Sequence, residues 1–244
     1  MKKISLRYQM VLFSDFSSIQ NDLITQEPFI NALRNYSFVA KPLIEPVIDN
    51  TGIRNLNRPS FITPDGALTI NVLTNKTLIE YLNRDIYVVN PITMSDFIKE
   101  ITDILSKVSL FSGASYKRIG LVRQTLIDEI DQQLVFNCFC RGINFYKNLK
   151  MTDWNVFFPA KKETANGKII NVTSRISHLV APMKINSSIK QFDGVSIVTD
   201  VNTLSTNRID NLSWNDIESI IRELQKTEYE ITNQTINAIE TIDK

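Results

Sequence analysis

Histidine occurs once in this 244-residue chain, cysteine twice and glycine only seven times, and each shortage removes a class of chemistry. Zinc sites of the usual types draw three or four ligands from closely placed His, Cys and carboxylate groups. His178 with Cys138 and Cys140 lacks both a fourth ligand and the spacing, so no metal is expected. The two cysteines are too close in sequence for an ordinary structural disulfide and too few for a secreted scaffold. The glycines, at 52, 66, 113, 120, 142, 167 and 194, never stand closer than seven apart. A Walker loop or dinucleotide fingerprint needs them clustered, and no cofactor is expected.

A lone histidine leaves little choice of base for a serine nucleophile, and neither Ser115 nor Ser196 sits in a Gly-x-Ser-x-Gly elbow. The Glu-x-Lys and Asp-x-Lys triplets of carboxylate-and-lysine nucleases do not occur. No apolar run approaches the roughly 18 residues of a membrane span. The segment 1–7, MKKISLR, lacks the apolar stretch and cleavage site of a signal peptide. The expectation is a cytoplasmic protein with no membrane association.

Net charge is also small, at +1, so no global field draws the chain to nucleic acid or acidic lipid. The charge is polarised, however. From Asp210 onward eight acids face three bases, a charge of −5, which leaves 24 bases and 18 acids, or +6, in residues 1–209. A solvated acidic helix face accounts for this. So does a basic surface elsewhere that meets an acidic partner or a phosphate backbone.

What the chain does have is an echo. Asp65-Gly66-Ala67-Leu68-Thr69-Ile70-Asn71-Val72 recurs as Asn166-Gly167-Lys168-Ile169-Ile170-Asn171-Val172. Asp-Gly and Asn-Gly signal tight two-residue hairpins, with positive φ at both central positions. Each turn leads into a strand-like run (67–73 and 168–180), then a further strand (77–82 and 191–203) and an amphipathic helix. Phe97, Ile101, Ile104, Leu105 and Val108 form one apolar stripe after a cap at Thr93 or Ser95. Ile217, Ile221, Leu224, Ile231, Ala238 and Ile242 form the other, on a helix of up to about 28 residues capped by Ser213.

The prediction is an α+β fold of two related halves, each an antiparallel hairpin-and-strand sheet backed by a long helix, with pseudo-twofold symmetry. The boundaries are 1–130 and 151–244, joined by a connecting segment 131–150 that reads as a helix, the whole able to form one globular unit. Outside this pattern, 4–13 reads as an opening strand, 17–35 as a helix interrupted near Pro28, 86–89 as a short strand and 116–127 as another strand. Residues 36–60, with Pro42, Pro46 and Pro59, read as a long, extended irregular connection or an edge strand.

Three groupings bear on function. Asp128, Glu129 and Asp131 are oxygen ligands for a divalent cation or simply an acidic helix start. His178 shares a strand face with Ile170, Val172, Ile176 and Val180 and reads as a hydrogen-bonded core residue. Lys117, Arg118, Arg123, Arg141, Lys147, Lys150, Lys161 and Lys162, with Trp154, Phe157 and Phe158 nearby, mix basic and aromatic side chains. Such a mixture stacks bases and tracks phosphates, or simply snorkels from a half-buried strand.

The run Tyr116-Lys117-Arg118-Ile119-Gly120-Leu121-Val122-Arg123 after the first long helix, and Val198-Thr199-Asp200-Val201 before the last, resemble the marks of a sporadically distributed bacterial family of about 250-residue cytoplasmic proteins of unknown function. The family's usual proline-rich opening before its first strand is missing here. The resemblance implies an α+β fold without known catalytic residues, and its patchy distribution goes with antiviral defence loci. The functional expectation is a non-enzymatic interaction or adaptor subunit, accessory to such a system, that binds a protein partner or itself. The alternatives are a nucleic-acid-binding protein using the basic residues at 117–150 and 161–162, and an enzyme with an unrecognised site.

Overall fold

The structure, a computed structural model, describes residues 1–50, 52–87, 91–108, 111, 115–140, 149, 151–164, 167–204 and 214–241. Its centre is one antiparallel sheet of nine strands: β1 (Lys2–Phe13), β2 (Val39–Ala40), β5 (Ser60–Ile62), β6 (Leu68–Val72), β7 (Lys76–Leu82), β8 (Arg118–Asp128), β9 (Asn155–Glu163), β10 (Ile169–Ile185) and β11 (Ser188–Thr203). They lie in the order β2-β5-β6-β7-β1-β8-β11-β10-β9. A separate hairpin of β3 (Leu43–Asp49) and β4 (Gly52–Arg58) forms its own two-stranded sheet. Among the described residues four α-helices, α1 (Leu23–Leu33), α2 (Met94–Ser106), α3 (Gln132–Phe139) and α4 (Trp214–Glu240), and a 3-10 turn at Arg34–Tyr36 complete the fold.

Strand alternation makes the sheet two-faced. One register row runs Phe61, Ile70, Ile79, Met10, Leu121, Val201 and Val172 across seven strands, and each of these side chains is buried. The next row, one residue along each strand, reads Thr69, Glu80, Gln9, Val122, Asp200 and Thr173. A one-residue slip would turn the apolar row outward, so the pattern pins the register. Helices α1, α2 and α4 cover the apolar row. The polar row is what an antiparallel sheet presents to water.

The two-halves fold class is therefore corrected. β8 pairs with β1 on one side and β11 on the other, so a single sheet runs unbroken from one expected half into the other. Nor does each half have its own long helix. α2 has 13 residues, and α4, with 27, straddles the molecule. Ile217, Ile221 and Leu224 of α4 join the cluster over β1 and β5–β7, while Ile236 and Ile239 join a second cluster with Ile127, Trp154 and Ile197. At about 1.5 Å per residue the 27 residues of α4 run about 40 Å, and the helix packs chiefly on β8, β11 and β10.

Both echoed hairpins form, but the first has another turn than predicted. Gly66 donates to the Thr63 carbonyl (2.8 Å), Asp65 is not left-handed, and Gly66 alone has positive φ, at 71°. This suits Thr63-Pro64-Asp65-Gly66 as a type I turn, where Pro favours the second position and Gly the fourth. Asn166 lies outside the described residues.

Of the two readings of 36–60, an edge strand is present as the short β2, and the irregular connection is corrected. Most of it is the β3–β4 hairpin, paired one to one from Leu43↔Arg58 to Asp49↔Gly52. Pro46 is tolerated because a two-stranded sheet needs the backbone donor of alternate residues only. Ile86 and Tyr87 form a turn, not a strand, and Val88 and Val89 lie outside the described residues. Segment 131–149 is helical at α3, capped by Asp131, whose carboxylate accepts from the backbone of Gln133 and Leu134. Gly113, Gly142, Ser213 and Ile242 lie outside the described residues.

Candidate functional site

The stripe of α4 drifts from the one predicted. Ile231 is half-buried and Ala238 exposed, while Thr227, Glu228, Thr232, Ile236 and Ile239 turn inward. Polar residues thus enter the apolar stripe at mid-helix, between the two hydrophobic clusters. Glu228 is 0% exposed. Its Oε1 accepts from the Thr232 hydroxyl (2.7 Å), which contacts the Thr199 hydroxyl of β11 (2.8 Å). Arg123 of β8 places Nη1 3.8 Å from Oε1 and donates from Nε to Thr125 (3.2 Å). Glu228 Oε2 is buried and has no hydrogen-bond partner. Burial pushes the Glu228 carboxyl above its usual range, and Arg123 and Thr232 pull it down only in part.

Beside this carboxyl lies a cavity of about 520 Å³ between α4, the start of α2 and strands β1 and β8. Its inner end holds Glu228, Arg123 and Tyr8. Tyr8 is buried against Tyr81 and Phe97, with ring centroids 5.9 and 5.8 Å away, and burial raises its hydroxyl pKa. Ile92 and Met94 contribute apolar wall, and the exposed Tyr229, Arg222 and Lys226 of α4 line the mouth. Thr93 caps α2 by accepting from the backbone of Asp96, whose carboxylate accepts from the Thr93 N–H in return (3.1 and 3.2 Å). A cavity with a few convergent polar groups and a perturbed acid is the usual form of a ligand site.

The predicted basic residues do not come together. Arg123 is inside this cavity, on the helix side. Arg118 lies on the opposite sheet face with its guanidinium 4.2 Å from the Phe13 ring. Lys161, paired in register with Asn171, is on that opposite face as well. Its neighbour Lys162 points to the helix side and pairs with Glu230 of α4 (2.6 Å). Lys117 is exposed just before β8. Arg141, Lys147 and Lys150 lie outside the described residues.

The acidic trio has local roles. Asp128 accepts from the Tyr87 hydroxyl, Glu129 has φ of 56° and Asp131 caps α3. Among the described residues no group of three or more His, Cys, Asp or Glu is placed to hold a metal ion. His178 contacts the Thr152 carbonyl through Nδ1 (2.7 Å) and Asp193 through Nε2 (3.0 Å), at the margin of the core. That contact holds the Asp193 carboxyl below its usual range.

Two surfaces elsewhere are unusually apolar. On the β3–β4 arm, Leu43, Glu45 and Val47 turn toward the body, whereas Ile44, Ile48 and Ile53 are 61%, 80% and 72% exposed on the other face. The arm is tied down at its base. Arg58 is 2% exposed, donates to the carbonyls of Phe16 (2.7 Å) and Val72 (3.2 Å), and meets Glu45 at 3.4 Å. Glu45 in turn accepts from the Thr74 backbone (2.9 Å) and hydroxyl (2.7 Å). At the far end of the sheet, a groove of about 370 Å³ opens between α4 and β9–β10, lined by Phe139, Phe158, Val172, Ile176, Ile231 and Ala238.

Sequence reasoning missed Glu228, Tyr8 and the arm. The available signal for Glu228 was spacing: steps of four from Leu224 reach Glu228 and Thr232, polar residues on an otherwise apolar stripe. For the arm it was the aliphatic pairs Leu43-Ile44 and Val47-Ile48 followed by the turn residues Asn50-Thr51-Gly52. None of the described helices is long and apolar enough to cross a membrane. No protein-family model matches the chain, and a search of curated proteins finds no match.

Proposed function

We propose that this chain is a cytoplasmic, non-enzymatic interaction subunit that docks on a second copy of itself through the β3–β4 arm. The observation that carries this reading is the aliphatic stripe of Ile44, Ile48 and Ile53, held out on a hairpin that belongs to no other sheet. Scattered exposed aliphatics need no explanation, but a contiguous row on a rigidly anchored element marks an interaction surface. The apolar groove beside α4 offers matching chemistry. β5, which anchors the arm, stands six strand positions from β10, about 29 Å at roughly 4.8 Å each. An arm of seven-residue strands is about 23 Å long at roughly 3.3 Å per residue, so it falls short of its own groove. Contact between copies buries both surfaces, and reciprocal exchange closes a twofold dimer.

Sedimentation of the full chain across micromolar to hundred-micromolar concentration tests this. The expected result is a dimer that the double change Ile48→Asp, Ile53→Asp converts to a monomer that still melts cooperatively, at a temperature lowered by no more than the lost mass action of dimerisation. A wild-type monomer throughout that range would overturn it.

A second reading has its own observation. The sheet face away from the helices pairs Arg118 with Phe13 and Arg175 with Phe157 at 4.2 and 5.7 Å, and Phe157 is 52% exposed. Cation-backed aromatics on an open sheet suit stacking on single-stranded nucleic acid. Its test is binding that weakens steeply with salt and weakens again in Arg118→Ala and Arg175→Ala. Absence of binding at low salt removes it.

A further inference from the structure

The cavity beneath α4 is independent of the arm and has a chemistry of its own. Its inner end offers a carboxyl with one oxygen committed to Thr232 and the other, Oε2, buried without a partner. A buried orphan oxygen of this kind costs about 1–3 kcal/mol, more if charged, and a ligand donor would relieve that cost. The flanking walls are flat and apolar: Tyr8 on the floor, Ile92 and Met94 to the side, Tyr229 at the rim. The mouth is cationic. Arg222 and Lys226 stand one turn apart on α4, and the first turn of the 13-residue α2 adds the positive end of its dipole, moderated by Asp96. Arg222 shares its guanidinium with Glu218 (2.5 Å) in an exposed pair that a stronger anion can displace.

A ligand that satisfies all three zones has a flat body with an N–H-bearing edge at one end and an anion at the other. We propose that this cavity binds a purine nucleoside phosphate, with the amino edge of the base against Glu228 and the phosphate at Arg222 and Lys226. The volume, about 520 Å³, lies within the usual range for ligand pockets, and the fused purine ring offers the larger flat face to Tyr8. Guanine presents two donors to a carboxylate. Adenine presents one donor and one acceptor, which match a protonated carboxyl. Which base binds therefore reports the charge of Glu228 in the complex.

The test is calorimetric titration of the full chain with guanosine, adenosine and uridine 5′-monophosphates and with inorganic phosphate. The expected result is saturable binding of at least one purine nucleotide, tenfold or more tighter than uridine monophosphate or phosphate. Glu228→Gln is expected to shift the guanosine-to-adenosine preference or weaken the tighter of the two at least tenfold. Lys226→Ala, at an exposed position, is expected to weaken the nucleotide but not the nucleoside. Should Glu228→Gln fail to fold, Tyr229→Ala at the exposed rim serves, with a loss of threefold or more expected. Absence of saturable binding below millimolar concentration, equal affinity for inorganic phosphate, or affinity unchanged in these variants would each overturn the proposal. None of these readouts depends on self-association, so the arm can fail its test while the cavity passes, and the reverse.

Discussion

Replacing Arg123 by Met should reveal how much the buried acid of α4 costs. Arg123 is the cation nearest Glu228, at 3.8 Å, and its side chain is 17% exposed while that of Glu228 is 1% exposed. Removing one partner of a fully buried pair costs about 3–5 kcal/mol, because the other charge is left uncompensated. The wide separation and residual solvent contact here bring the loss below that range, to about 2–3 kcal/mol. In a domain of this size, about 2–4 °C of melting temperature accompanies each kcal/mol, so a fall of about 5–10 °C is expected.

The pH dependence has a definite sign. Burial raises the folded Glu228 above its unfolded value, so the folded state favours the protonated acid. Its contribution to stability is best below the unfolded value and is lost as pH rises through the raised one. The charged and titratable groups that share the cavity with it are Arg123 on β8, Tyr8 on β1 and Arg222, Lys226 and Tyr229 on α4. Arg123 is the one that pulls the pKa down, so its removal deepens the alkaline loss. Calorimetry should find Arg123→Met much more damaging at pH 8 than at pH 4.5, each measured against wild type. Adding Glu228→Gln should restore at least half of the pH 8 deficit. Equal losses at both pH values, or a double variant as unstable as the sum of the singles, would refute the reasoning.

Other perturbations test the scaffold. A Cβ on Gly194 would sit 2.5 Å from both the Ile127 carbonyl and the Phe192 ring, so Gly194→Ala should destabilise by about 1–3 kcal/mol in chemical denaturation. Thr93→Ala removes one half of the capping box of α2 and should cost about 1 kcal/mol in the same assay, without changing the denaturant slope. Glu45→Gln weakens the clamp on Arg58 and Thr74, and limited proteolysis should then cut within 43–58 faster than in wild type while the remaining sheet stays protected. Cleavage at the wild-type rate would mean that apolar contacts of Leu43 and Val47 hold the arm instead.

Local periodicity carried much of the fold. The α2 stripe of Phe97, Ile101, Ile104 and Leu105 is buried as its spacing predicts, because a helical face depends on residues within a few turns, while Val108, expected on the same face, is buried just beyond the helix end. The strands β7, β8 and β11 stand where strand-like runs were read at 77–82, 116–127 and 191–203. Gly120, read as part of a short family mark, has a physical need as well. It pairs with Val11 and Asn202, and a Cβ there would stand 3.2 Å from that of Asn202.

Partners across the sheet were another matter. Pairing β8 with both β1 and β11, which makes one sheet out of two expected ones, joins residues some 110 and 80 positions apart, and no periodicity encodes that choice. The candidate cavity depends on the same step. Glu228, Arg123 and Tyr8 sit on three elements, and only the crossing of α4 over β8 and β1 brings them together. By itself, then, the amino-acid order marked α2, α4 and most strands of the large sheet and placed its two Gly-bearing hairpins, but not the β3–β4 arm. Tertiary structure alone decided that α4 straddles the whole core and seals a carboxylic acid beneath it, because burial and charge pairing are set by neighbours distant in sequence.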